Sequence, residues 1–207
     1  MDCIYMKKML LCFRDIMAEN RDYLIEMDSV VGDGDLGLTM SDGFEAAFKA
    51  ADASAETDCG KLLYAAGKAM SMAVPSTMGT LMASGLMNSG KILKGKETLD
   101  NTDIVELFVA YIDGVSNRGK AKIGEKTFLD GMVPAIEKLK ESLISGDSLN
   151  IAAQKTAEAA EQGFLLTQNM IAVHGRAATR GEASRLLLDP GAAVAMLMMQ
   201  AFAKSVE

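Results

Sequence analysis

Two stretches of this chain, residues 79–94 and 191–203, are apolar on almost every side when wound as helices, and that constrains the fold more than anything else in the sequence. A helix with no polar face is stable only where other helices surround it, so both belong in the interior of a helical assembly. Apolar residues recur at helical spacing through the rest of the chain and mark eight segments: 2–26, 39–53, 58–74, 79–94, 102–116, 127–145, 148–171 and 190–205. No stretch shows the alternation of a strand, and three prolines and no tryptophan in 207 residues fit a helix-rich composition. The class expected is all-α. Sixteen methionines suit the irregular gaps of such a core. Asp189-Pro190 places a capping residue before proline at the first helical position, which predicts a helix start there.

The length fits one domain, residues 1–207, large enough to bury a continuous core. A net charge of −7 supplies no basic face, which excludes nucleic acid as a partner. Cys3, Cys12 and Cys59 are an odd number without metal-binding spacing and are expected as reduced, mostly buried thiols. The N-terminal segment carries Asp2 and no small-residue cleavage site, so no secretory signal is expected. The apolar runs are about half the length of a membrane span. Together these predict a soluble, cytoplasmic protein.

Three non-helical stretches are expected, 27–38, 117–126 and 173–189, and chemistry tends to sit on loops carried by a rigid scaffold. The first contains Asp28-Ser-Val-Val-Gly32-Asp33-Gly34-Asp35-Leu36-Gly37. Its glycines match a dinucleotide-binding spacing, but no strand precedes them and three aspartates would repel a bare phosphate. A divalent cation reverses that repulsion, because clustered carboxylates suit Mg²⁺, which in turn bridges to phosphate oxygens. Glycines 32, 34 and 37 are expected to supply positive φ so that the carboxylates converge. A solvated acidic turn is the competing reading. An EF-hand is excluded by the order of the acidic residues, and Gly85-Leu-Met-Asn-Ser-Gly90-Lys91 is helix packing rather than a phosphate loop.

Further along come Pro75-Ser-Thr-Met-Gly79, Arg118-Gly-Lys-Ala-Lys-Ile-Gly-Glu-Lys-Thr127, His174-Gly-Arg-Ala177 and Asp189-Pro-Gly191. In this order and at these separations the set resembles the nucleotide-binding L subunits (DhaL type) of dihydroxyacetone kinases, from about residue 20 to the C-terminus. The resemblance implies an eight-helix antiparallel up-and-down barrel that binds ADP or ATP at one end. It implies Asp28, Asp33 and Asp35 as ligands of two Mg²⁺ ions, with Leu36, Gly37, Leu38 and Thr39 against the phosphates at a helix start. Thr77, Met78, Gly119, Phe128, Arg176, Asp189, Pro190 and Gly191 would surround the rest of the nucleotide. It also implies a separate K-type subunit that binds the ketose, with phosphate supplied by ATP or by a phosphohistidine subunit of the phosphotransferase system.

Two departures leave donor and ketose open, the ketose being dihydroxyacetone or a relative such as erythrulose. Leu36 stands where the family carries histidine, and Pro75-Ser76-Thr77-Met78 replaces Gly-Gly-Ala-Ser. Phosphoryl transfer needs positioning and charge neutralisation, so Arg176 is expected to complete the catalytic set of Asp28, Asp33 and Asp35. His174 is read as a surface residue rather than a phosphocarrier. The basic run Arg118, Lys120, Lys122 and Lys126 fits either a solvated connection or a docking or phosphate-facing role. Two further functional classes remain: a nucleotide-loaded regulator that binds a transcription factor without turnover, and a helical scaffold with an acidic loop.

Overall fold

The computed structural model describes residues 1–207 and is all-α: α1 (Cys3–Glu19), α2 (Arg21–Val31), α3 (Leu36–Asp52), α4 (Cys59–Ala73), α5 (Thr77–Ile92), α6 (Asn101–Gly119), α7 (Phe128–Ile144), α8 (Leu149–Leu166) and α9 (Pro190–Ser205). Two 3₁₀ segments, Thr167–Asn169 and Arg176–Leu186, lie between α8 and α9. The helices number nine rather than eight because the first expected segment is broken at Asn20, whose φ and ψ are −103° and 15°. Met17 and Leu24, both buried, flank the break seven residues apart. Seven residues are two helical turns, so the apolar rhythm runs through the break unchanged. No single helix is long and apolar enough to cross a membrane.

The chain forms two compact units: residues 1–18 with 39–120, and residues 19–38 with 121–207. In the first, α5 packs between α4 and α6. Glycines set how closely these helices approach. A Cβ on Gly90 would stand 2.5 Å from the Gly60 carbonyl oxygen, and one on Gly85 would stand 2.6 Å from the Tyr111 ring. Gly85 and Gly90 therefore do the packing work expected of them. Tyr111 is fully buried and its hydroxyl donates to the Met82 sulfur at 3.2 Å. Ser76 caps α5 by accepting from Gly79 N at 3.0 Å. Of the three cysteines only Cys59 is buried, a correction to the expected burial of most of them, and desolvation pushes its thiol up to about 12.

In the second unit α9 is the central helix, in contact with α7, α8 and α2. It is buried on almost all sides, as its sequence requires. Its start follows the anticipated pattern, with Asp189 accepting from Ala192 N at 2.7 Å and Pro190 in the first turn. Thr127 and Asp130 form a reciprocal capping box on α7. Pro134 inside α7 cannot donate to the Asp130 carbonyl four residues back. Gly163 of α8 comes so close to that oxygen that a Cβ would stand 2.4 Å away.

Gly90→Ala tests the close helix approach in the first unit. The new methyl meets backbone on α4, so overpacking of about 1–3 kcal/mol should outweigh the roughly 1 kcal/mol gained in helix propensity. Thermal unfolding should show a lowered Tm, and an unchanged or raised Tm would refute the close contact.

Candidate metal and nucleotide site

Asp28, Asp33 and Asp35 each present a carboxylate oxygen within 4.8 Å of the others. Asp28 sits in the last turn of α2, not in a loop, because that helix runs on to Val31. Only residues 32–35 separate it from α3. The three glycines act in different ways, and only one uses positive φ. Gly32 leaves room for a neighbour, since a Cβ there would stand 2.3 Å from Asp28 Oδ1. Gly34 has φ of 75°, which reverses the chain between the two loop aspartates. Gly37, already helical, leaves room for the backbone at the start of α2: a Cβ there would stand 2.1 Å from the Arg21 carbonyl oxygen. The Leu36 N–H donates to Asp28 Oδ2 at 3.4 Å, so the first turn of α3 points a backbone donor at the cluster.

Desolvation, then the Asp33 and Asp28 charges, hold the Asp35 carboxyl above its ordinary range; Arg176 acts in the opposite direction. Arg176 Nη2 donates to Asp33 Oδ2 at 2.5 Å, and Arg180 donates to the Val30 carbonyl at the end of α2. The expected loop 173–189 is thus largely wound into 3₁₀ turns, kinked at Gly181, and it brings two arginines to the acidic helix end. An all-oxygen set of three converging carboxylates fits a hard divalent cation such as Mg²⁺.

The other site residues fall into separate groups. Leu36, Gly37 and Thr39 are buried in the first turn of α3 and Leu38 is exposed. In the second unit a Cβ on Gly191 would stand 3.1 Å from Phe128 N, which places the starts of α7 and α9 side by side. Phe128, Asp189 and Pro190 are buried there, leaving Gly191 as the partly exposed member. In the first unit Thr77 is exposed and Met78 half-buried at the start of α5. Gly119 lies against Leu81, whose Cδ2 would be 3.0 Å from a Cβ. His174 Nε2 pairs with Glu125 Oε2 at 2.6 Å, a bond that holds Glu125 below its usual range.

Lys126 corrects the reading of the basic run. It is 2% exposed, neither solvated nor facing a phosphate, and its backbone is left-handed with φ of 60°. Its ammonium donates to the carbonyls of Thr167 and Ser184 at 2.7 Å, of Met170 at 3.4 Å, and of Leu187. Its place in a row of exposed-looking cations concealed this. The nearby Asp189 carboxyl is pushed up to about 7 by burial, against the Ala192 N–H and the Lys126 charge, which favour ionisation.

A carboxyl whose folded pKa exceeds its unfolded value binds its proton more tightly in the native state. Its effect on stability is therefore most favourable below about pH 4 and declines as pH rises to about 7. Asp189→Asn keeps a capping side chain and removes the titration. Relative to wild type, the variant should gain on the order of 2–4 kcal/mol between pH 4 and pH 8 in denaturant unfolding. A difference independent of pH would overturn the assignment.

Comparison with known proteins places the geometry in a family. The DAK2 domain description matches residues 30–204. The chain is 33% identical over 189 residues to the ADP-binding subunit DhaL of the PEP-dependent dihydroxyacetone kinase of Escherichia coli, covering 91% of this chain and 90% of that one. It is also 33% identical over 193 residues to the L-erythrulose 1-kinase of Mycolicibacterium smegmatis, covering 91% of this chain but 33% of that protein. The crystal structure of the C. freundii dihydroxyacetone kinase in complex with AMP-PNP and Mg²⁺ superposes with a TM-score of 0.73 at 19% identity, over 96% of this chain and 33% of that one. The fold is shared with about a third of that enzyme's chain, and this chain belongs to the DAK2-domain family, with DhaL subunits of dihydroxyacetone kinases among its relatives.

Proposed function

We propose that this chain is the nucleotide-binding, phosphoryl-transfer subunit of a small-ketose kinase, a single DhaL-type domain acting in the cytoplasm with a separate K-type subunit that holds the sugar. The observation that carries the reading is the convergence of Asp28, Asp33 and Asp35 within 4.8 Å at the start of α3, with Arg176 on Asp33. Two Mg²⁺ ions held by these aspartates would neutralise the phosphate charge of ADP or ATP. The protein's own contribution is positional. The α3 N-terminus supplies the positive end of a helix dipole, and Arg176 supplies a cation on Asp33 beside the other carboxylates. Thr77, Met78, Gly119 and Gly191 are proposed to line the nucleotide, with the buried Phe128, Asp189 and Pro190 shaping the turn behind it.

The phosphoryl group stays on the nucleotide in this reading; the only histidine, His174, pairs with Glu125 and is not a member of the acidic cluster. The donor is either ATP or a phosphohistidine subunit of the phosphotransferase system. The ketose is dihydroxyacetone or a tetrulose. That the similar proteins include both a dihydroxyacetone kinase subunit and an erythrulose kinase supports keeping both substrates.

Calorimetry with ADP and Mg²⁺ tests the site. Wild type should bind, and saturation at about 100 times Kd should add roughly 2.7 kcal/mol to unfolding stability. Asp33→Asn should abolish most of that gain. No binding by wild type, or full binding by the variant, would sink the proposal. Turnover with a K-type partner, with ATP and a phosphohistidine donor compared side by side, then separates the two donors; binding without turnover under either would point to the regulatory alternative.

A further inference from the structure

The segment that delivers Arg176 to the acidic cluster has almost no apolar anchorage. Within Arg176–Leu186 only Ser184 is buried. A polar 3₁₀ strap of this kind cannot be held by hydrophobic burial, so its hydrogen bonds must hold it. Several are local: Ser184 Oγ accepts from Ala172 N at 3.0 Å and donates to the Gly181 carbonyl at 2.6 Å, and Arg185 donates to the Asn169 carbonyl at 2.7 Å. One group ties both ends of the strap together. The Lys126 ammonium has three N–H donors and meets four carbonyls, two before the strap (Thr167, Met170) and two at its end (Ser184, Leu187). The short run between those ends contains His174, Arg176 and Arg180.

We propose that Lys126 is a positioning residue for the nucleotide site, a buried cation that closes the 167–187 strap into a loop and so fixes Arg176 over Asp33. The inference rests on the function proposed above. Lys126 touches neither the three clustered aspartates nor Arg176; it reaches the site through the backbone carbonyls it gathers, while its charge also acts on Asp189 at the start of α9. Charge makes the arrangement specific. An ammonium satisfies four converging carbonyl oxygens, whereas an apolar side chain of the same length leaves them unpaired in the interior. Without it the strap ends separate and Arg176 is no longer held at 2.5 Å from Asp33.

The test is a binding cycle with MgADP on the full chain, using Lys126→Met, Arg176→Ala and the double variant. Lys126→Met should weaken binding by about 10- to 100-fold, the usual effect of losing a supporting contact behind a metal site. The double variant should be no weaker than the weaker single one, because both changes remove the same positioned guanidinium. Losses that multiply, or a Lys126→Met variant that binds like wild type, would overturn the proposal. Hydrogen exchange supplies a ligand-free readout: amides of 172–187 should lose protection in Lys126→Met while those of α9 keep theirs. If Lys126→Met does not fold, Lys126→Gln retains two donors and takes its place in the cycle. Failure of both to fold would show a determinant of the whole unit and also overturn the positioning role. Wild type that does not bind MgADP refutes the proposed function itself, a result distinct from wild-type binding that Lys126→Met leaves intact.

Discussion

Three carboxylates held within 4.8 Å of one another repel, and much of the local structure around residues 19–38 is explained by the need to hold them there. Asp28 is at the C-terminal end of α2, where the helix dipole is itself negative and makes another carboxylate costly. The balance is restored from two directions. Helix α3 begins immediately afterwards and turns its positive end and the Leu36 N–H toward Asp28. Arg176 and Arg180 arrive from a segment some 150 residues away in sequence, one on Asp33 and the other on the Val30 carbonyl. Desolvation and the two acidic neighbours hold the Asp35 carboxyl above its ordinary range. A divalent cation would offset the same repulsion more completely, which fits the proposed role of the cluster.

Cations are scarce on this acidic chain, and in the second unit several are spent on carbonyl oxygens rather than on surface ion pairs. Lys126, Arg180 and Arg185 all donate to backbone. Exposed ion pairs such as Lys138–Glu141 contribute little to stability, whereas a buried ammonium with four acceptors determines the path of the chain around it. Asp189 belongs to the same interior arrangement. Its carboxyl caps α9, its N–H donates to Thr167 Oγ1 at 3.0 Å, and the Lys126 charge favours its ionised form. The start of the most buried helix and the strap that carries Arg176 are thereby organised around one lysine.

The helical class, the near-complete burial of α9 and its start at Asp189-Pro190 were legible in the sequence, because each depends on residues close in sequence; α5 is a correction, since it buries no larger share of its residues than α4 and leaves Lys91 and Ile92 exposed. The break at Asn20 was not, since Met17 and Leu24 keep helical spacing across it. The same continuity hid the extension of α2 to Val31, which turns Asp28 from a loop residue into a helical one. Glycine was readable as a class but not in its uses. Among Gly32, Gly34 and Gly37 only Gly34 adopts positive φ, and the other two leave room for the Asp28 carboxylate and the Arg21 carbonyl.

The sequence alone determined the acidic motif, the charge argument by which a bare phosphate would be repelled, and the order of motifs that carries the family resemblance, because these depend on residue type and spacing along one chain. Tertiary structure decided which residues meet. It placed Arg176 on Asp33 across 143 positions, brought the buried Phe128 and Pro190 together at the starts of α7 and α9, and drew Lys126 out of a basic run into the interior. A lysine's role is set by the acceptors that surround its ammonium, and those four carbonyls lie 41 to 61 residues away. No local pattern encodes their convergence, because it arises only when the strap folds back over the starts of α7 and α9.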